Sequence, residues 1–255
     1  MFRRLICLAF LFFPLTATAD TAVGTATDSE AMAVATTPVV HGGEWAEPWW
    51  IPRHEEKLAT KDAMDTVDVV FIGDSITQGW EGAGKEVWAK TFEPMNSLNL
   101  GFSGDRTEHV LWRLDNGEID GIDPKAVVIM IGTNNTGHRR DPPPVTAKGV
   151  ELILDRVRNK LPGAKVLLLG IFPRGATADD PLRQINEAIN EELSAMADAN
   201  DAVTYKDIGD VFLADDGSLP EDIMPDRLHP NTKGYELWAD AIAEDVRQLT
   251  LSPRG

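Results

Sequence analysis

The chain has 255 residues, of which 43% are hydrophobic and 25% are charged, and its formal net charge is −17. This length and apolar content suit one globular domain with a substantial core, and they exclude a wholly disordered chain. The acidic balance, with no basic stripe, disfavours binding to nucleic acid and adhesion to an anionic membrane surface.

The first nineteen residues have the pattern of a secretory signal peptide. Arg3 and Arg4 precede the apolar run 5–15, and Ala17-Thr18-Ala19 forms an A-x-A cleavage site. The run is too short for a comfortable membrane span, so we expect a secreted or periplasmic protein without stable membrane insertion after cleavage; an uncleaved anchor is the alternative. Cleavage after Ala19 would remove the only cysteine, Cys7, and with it any disulfide or thiolate nucleophile.

Residues 20–40 are rich in Ala, Thr and Val and show little periodicity. This composition predicts a flexible leader, followed by a single domain over residues 41–255. Trp45, Trp49 and Trp50 stand at the start of that domain. They are interpreted as packing residues, with a carbohydrate-stacking platform as the alternative.

From residue 60 onward, apolar runs alternate with helix-like stretches. Strands are predicted at Val67–Ile72, Ser97–Leu100, Ala126–Ile131, Val166–Leu169 and Val203–Tyr205, and helices near 105–116, 145–160, 181–199 and 232–248. Apolar runs without polar alternation fit a parallel sheet that is covered on both faces. The order therefore predicts an α/β fold, a single three-layer α/β/α domain with five parallel strands. Its ligand crevice should lie beyond the carboxyl ends of the strands.

The loops at those strand ends contain the parts of an acyl-transfer site. Ser75 follows the first strand, and Asp226-x-x-His229 precedes the last helix. A serine hydroxyl needs a base to become nucleophilic near neutral pH, and the base needs a partner that fixes its tautomer. Ser75, His229 and Asp226 are therefore predicted to be the catalytic nucleophile, base and orienting acid.

The negative charge that develops on the attacked carbonyl oxygen needs preorganised hydrogen-bond donors. The backbone N–H groups of Ser75 and Gly104 and the side-chain amide of Asn134 are the candidates for this oxyanion hole. Gly104 lets the backbone approach closely because it has no Cβ. Asp74 is interpreted as a brace for the loop that carries Ser75.

These residues resemble the four sequence blocks of the GDSL (SGNH) esterase superfamily. The blocks are Gly73-Asp74-Ser75, Gly104, Gly132-x-Asn134 and Asp226-x-x-His229, in that order. Further segments, among them 98–101, 109–118 and 181–184, resemble the branch formed by the catalytic subunits of platelet-activating-factor acetylhydrolase. Here Ile76 stands where the family name has Leu, and Asn135 stands where Asp is common; the acetylhydrolase branch shares the second variant.

The resemblance implies a flavodoxin-like SGNH hydrolase fold and a serine esterase that works without a cofactor. It supports the triad Ser75, Asp226 and His229 and the oxyanion donors Ser75, Gly104 and Asn134. The substrate is expected to be a small-molecule or glycan ester of a carbohydrate or lipid alcohol with a short acyl group, above all acetyl. Because the acetylhydrolase relatives pair as dimers, the resemblance also allows for a homodimer.

Three other functions stay open at this point. One is a lipase or lysophospholipase for longer acyl chains. Another is a non-catalytic carbohydrate-binding protein that uses the tryptophans near residue 45. The third is a metal-dependent phosphoesterase built on Asp74, Asn134 and His229. No metal site is predicted, since His41, His54 and His138 show no ligand spacing with one another.

Overall fold

A computed structural model describes residues 22–198 and 202–251. The strands are β1 (Val69–Gly73), β2 (Ser97–Gly101), β3 (Ala126–Met130), β4 (Lys165–Leu169) and β5 (Val203–Lys206). The helices are α1 (Ala22–Thr36), α2 (Trp50–Ala63), α3 (Ser75–Gln78), α4 (Lys85–Thr91), α5 (Thr107–Asp115), α6 (Thr133–Arg139), α7 (Pro143–Lys160), α8 (Pro181–Asp198) and α9 (Thr232–Leu251). Short 3₁₀ turns lie at Gly79–Glu81, Glu93–Met95 and Gly209–Phe212.

The strands form one parallel sheet in the order β2-β1-β3-β4-β5. This order places β1 at the point where the chain switches direction across the sheet, next to both β2 and β3. In doubly wound folds the crevice beyond the carboxyl ends at this switch point is the usual ligand site. The predicted α/β fold with five parallel strands is therefore confirmed, and each strand lies within two residues of its predicted bounds.

Both faces of the sheet are buried, which explains why the strand sequences are apolar throughout. Val70 and Ile72 of β1 pack into a core with α5, α7 and α8 on one face. Val69 and Phe71 pack into a second core with α4 and α9 on the other face. Successive strand side chains point to opposite faces, so covering both faces requires a continuous apolar run.

The segment before residue 40 differs from the flexible leader that its sequence predicts. Residues 22–36 form α1, and Ala35 is fully buried. The Ala35 carbonyl accepts a hydrogen bond of 2.9 Å from Oγ1 of Thr107 at the start of α5. Alanine favours helix, and its small side chain allows close packing on a neighbouring helix without an amphipathic pattern that the sequence would reveal. The signal peptide predicted over 1–19 lies outside the described residues.

Helix α2 was also not predicted, because the face that it buries is largely polar. Trp50, His54, Lys57 and Lys61 lie on that face at helical spacing, and all four are buried. Lys61 Nζ donates to the Asp120 carbonyl at 2.6 Å. Hydrogen bonding thus compensates the buried cation, and a search for apolar periodicity overlooks such a helix.

Candidate active site

Four loops meet beyond the carboxyl ends of the strands, as the sequence predicts. Ser75 begins α3 directly after β1, and the preceding Asp74 caps that helix by accepting 2.9 Å from the N–H of Ile76. Gly73 leaves no room for a side chain here, since a Cβ would lie 2.1 Å from Oγ1 of Thr77. The close packing of Thr77 on Gly73 therefore helps to set the position of Ser75.

Ser75, His229 and Asp226 form one hydrogen-bonded relay. Ser75 Oγ lies 2.9 Å from Nε2 of His229, although 154 residues separate them in the chain. Nδ1 of His229 lies 2.6 Å from Oδ2 of Asp226. Both distances are within hydrogen-bond range, so the ring can accept a proton from the hydroxyl while the carboxylate fixes its tautomer.

Asp226 is held as a carboxylate in this relay. Burial alone would raise its pKa, but the hydrogen bonds from the His229 ring and backbone lower it below the ordinary value. Its second oxygen accepts from the N–H groups of His229 at 2.7 Å and Leu228 at 3.1 Å. An ionised carboxylate at this place favours the imidazolium that forms when His229 takes a proton.

The candidate oxyanion donors lie on the next two loops. Gly104 has φ +75°, a conformation that side chains disfavour, and its loop follows β2. Asn134 lies in the first turn of α6, where it is 7% exposed. Its Nδ2 donates 3.0 Å to the carbonyl of Asp105, the residue after Gly104. Because an amide NH₂ carries two hydrogens, this bond fixes Asn134 and leaves its second N–H for a developing oxyanion.

Asp74 braces the nucleophile loop, as the sequence analysis interprets it. Its side chain is fully buried. Burial raises its pKa to about 6, against the bond from Ile76 N–H and the nearby His229, which both lower it. Its position at the cap of α3 makes it a support for Ser75 rather than a group in the relay.

A buried ion cluster lies behind the site. Arg113 on α5 is fully buried, and its Nε donates 2.8 Å to Oδ2 of Asp105. It also forms an ion pair with Glu118 and donates to the carbonyls of Leu100 at 3.2 Å and Gly73 at 3.3 Å. The guanidinium therefore joins the end of β1, the end of β2 and the oxyanion loop.

A second buried guanidinium supports the loop of the base. Arg183 is 1% exposed and donates 2.9 Å to the carbonyls of both Arg174 and Gly175. The N–H of Gly175 in turn donates 2.9 Å to the carbonyl of Arg227, two residues before His229. The sequence could not assign this role to either arginine, because the loops are joined through backbone carbonyls, which Arg113 binds in addition to its two carboxylates.

The tryptophans near residue 45 divide between two roles. Trp50 is fully buried and its Nε1 donates 2.6 Å to Oδ1 of Asp105, so the packing interpretation holds for it. Trp45 is 50% exposed. Its ring lies against Gly104, where a Cβ would come within 2.5 Å of it.

The described residues contain neither a metal-binding cluster nor a membrane-spanning helix. Among these side chains, no three His, Cys, Asp or Glu residues come together as a metal site would require. None of the helices in residues 22–198 and 202–251 combines the length and apolar content that crossing a membrane requires.

Comparison with known proteins agrees with this geometry. Residues 71–237 match the model of the GDSL-like Lipase/Acylhydrolase family. The human platelet-activating factor acetylhydrolase IB subunit alpha1 is 38% identical over 206 residues, which cover 81% of this chain and 86% of that protein. A solved GDSL-like lipase from Bacteroides thetaiotaomicron has a TM-score of 0.60 at 21% identity, over 76% of this chain and 97% of that chain. A carbohydrate acetylesterase from Sinorhizobium meliloti has a TM-score of 0.54 at 19% identity, over 72% of this chain and 100% of that chain.

Proposed function

Because the chain belongs to the GDSL-like lipase/acylhydrolase family and is thereby a carboxylic ester hydrolase, we propose that it hydrolyses short-chain esters, above all acetyl esters, of a carbohydrate or lipid alcohol. The observation that carries this proposal is the relay from Ser75 through His229 to Asp226, with distances of 2.9 Å and 2.6 Å. Membership in an enzyme family disfavours the alternative of a non-catalytic carbohydrate-binding protein.

The proposed mechanism has two steps. The Ser75 oxygen attacks the ester carbonyl while its proton moves to Nε2 of His229, and the alcohol then leaves with that proton as the acyl-enzyme forms. Water, activated by the neutral His229, attacks the acyl-enzyme and releases the acid. The N–H groups of Ser75 and Gly104 and the amide of Asn134 would stabilise the oxyanion in both steps.

The preference for an acetyl group rests on two supports. The 38% identical human relative is by name an acetylhydrolase. The sequence also shows no long apolar lid segment of the kind that would shelter a fatty acyl chain. A lipase that prefers longer chains is the alternative, and kcat/KM across nitrophenyl esters of increasing acyl length separates the two. Activity that rises with chain length would overturn the acetyl preference.

The role of Ser75 is tested with a matched pair of serine variants. Ser75→Ala should lose ester hydrolysis and should no longer trap an acetyl group, which intact-protein mass spectrometry detects. Ser103→Ala, which alters a second serine in a neighbouring loop, should keep both. Asp226→Asn should lower kcat less than His229→Ala does, because only the ring accepts the proton. If Ser75→Ala keeps its activity and Ser103→Ala loses it, the proposed nucleophile is wrong.

We further propose that the protein is exported, on the strength of the signal-peptide pattern over 1–19. N-terminal sequencing of the exported protein tests whether cleavage follows Ala19. A protein that stays in the cytoplasm with its first residues intact would contradict this proposal.

A further inference from the structure

A cleft of about 480 Å³ opens beside the oxyanion loop and has no part in the relay. Its lining includes His41, Trp45, Arg106, His109 and His138. A Cβ on Gly104 would lie 2.5 Å from Cη2 of Trp45 and 3.1 Å from Nε2 of His41. The cleft therefore adjoins a proposed oxyanion donor.

Packing and hydrogen bonds hold the rings of this cleft in place. The His41 ring is stacked on the His109 ring with centroids 4.2 Å apart, and Trp45 meets His41 edge-on at 5.0 Å. His41 is 5% exposed, and a hydrogen bond with the backbone of Gly104 raises the pKa of its ring against the larger effect of burial. His41 and His109 therefore form the buried floor on which the exposed ring of Trp45 is fixed.

The cleft carries little net charge in spite of its basic residues. Two carboxylates balance the two guanidinium groups: Glu108 pairs with both Arg106 and Arg139, and Asp141 pairs with Arg139 at 2.6 Å. Burial is the largest cause of the lowered pKa of His41, His109 and His138, so these rings are neutral near pH 7.

The charge of Arg174, a further cation that affects His138, is balanced by acidic groups. The carboxylates of Asp180, Asp74 and Asp226 raise the pKa of Arg174 against the effect of its burial. A phosphate group would require guanidinium or ammonium groups that are free to pair with it. The charge balance around the cleft therefore disfavours a phosphorylated alcohol.

Neutral imidazoles and an exposed indole suit a different ligand. Nδ1 of His138 accepts 3.1 Å from the Arg106 guanidinium, so the neutral ring keeps its Nε2–H as a donor for a hydroxyl group. The half-exposed ring of Trp45 offers a flat apolar face beside the imidazoles. We propose that this cleft binds the alcohol part of the ester and that this alcohol is a neutral sugar, stacked on Trp45 and hydrogen-bonded by His138.

This inference rests on the proposed esterase function, and the test separates the two. Three acetyl esters are compared by pH-stat: peracetylated methyl β-xylopyranoside, ethyl acetate, whose alcohol is too small to fill the cleft, and an acetyl ester of a glycerophosphocholine. The wild type should prefer the xyloside. Trp45→Ala should lower kcat/KM for the xyloside, relative to ethyl acetate, by about tenfold or more, while Trp45→Phe should largely restore the ratio.

Binding is measured independently of turnover. The Ser75→Ala protein should bind the acetylated xyloside in calorimetry, and adding Trp45→Ala should abolish that binding. An equal loss of kcat/KM on the xyloside and on ethyl acetate in Trp45→Ala would show that Trp45 only supports the Gly104 loop, and it would overturn the sugar site. A preference for the phosphocholine ester would do the same. If none of the three esters is hydrolysed in a Ser75-dependent way, the esterase function itself fails.

Discussion

Replacing Arg113 by methionine should weaken both the fold and the active site. The change keeps a long apolar side chain of similar reach but removes the guanidinium from a fully buried position. Burial alone would lower the pKa of Arg113, but the carboxylates of Glu118 and Asp105 raise it, so the native side chain is charged. Arg113→Met would thus leave two buried carboxylates without their cation.

The expected loss is large because the cluster is buried. Removing one partner of a buried ion pair typically costs about 3–5 kcal/mol, since the remaining charge is left uncompensated. Arg113 also donates to the carbonyls of Leu100 and Gly73, which would lose a donor. A domain of this size has a stability of roughly 5–15 kcal/mol, so the variant should still fold at low temperature.

Catalysis should fall as well, because the partners of Arg113 flank the site. Gly73 lies two residues before Ser75, and Asp105 accepts the amide of Asn134 at its carbonyl. A shift of about 1 Å in such groups can cost roughly a hundredfold in rate. We therefore expect kcat for a nitrophenyl acetate to fall by more than about tenfold under conditions where near-ultraviolet circular dichroism shows the variant to be folded.

Urea unfolding provides the stability measurement, and Arg156→Met provides the matched control. Arg156 also pairs with one aspartate, Asp115, at 2.9 Å, but these side chains are 25% and 39% exposed. Loss of this exposed ion pair in Arg156→Met should lower the free energy of unfolding by at most about 1 kcal/mol. The double variant Arg113→Met/Glu118→Leu should be more stable than Arg113→Met alone, because it also removes one unpaired buried charge. If Arg113→Met is no less stable than Arg156→Met, the buried cluster does not contribute as described.

Three further predictions follow from the same geometry. Asn134→Ala should lower kcat by about 10²–10³-fold with little change in KM. EDTA or added Zn²⁺ should change the activity of neither the variant nor the wild type; activity restored by metal would favour the phosphoesterase alternative. Gly104→Ala should also lower kcat, because a Cβ at φ +75° would collide with the Trp45 ring. Full activity would show that the loop can shift to accommodate the side chain without loss of the oxyanion donor. Burial would raise the pKa of Glu108, but its partners Arg139 and Arg106 lower it to about 2. The ionised Glu108 should therefore add about 3 kcal/mol to the free energy of unfolding above pH 4.5, and this contribution should vanish as the pH falls through 2. Urea unfolding at several pH values should show that the free energy of unfolding depends less on pH in Glu108→Gln than in the wild type.

Local sequence patterns are enough to locate the strands and to identify the chemistry of the site. A strand that is buried on both faces must be apolar throughout, so β1 and β3 could be located from their composition alone. Ser75, Asn134 and Asp226-x-x-His229 could be identified because short local motifs at strand ends carry them. The parallel fold then required these strand ends to meet at one edge of the sheet.

Which distant groups support that site depends on how the folded chain packs. The order β2-β1-β3-β4-β5 and the 2.9 Å approach of Ser75 to His229 depend on packing between segments far apart in the chain. Arg113 pairs with two carboxylates, but it and Arg183 join the loops through backbone carbonyls, and a carbonyl has no sequence signature. Helices α1 and α2 were missed because one packs through small side chains and the other buries polar groups. In each case the stabilising partner comes from another part of the chain, so no local pattern could reveal it.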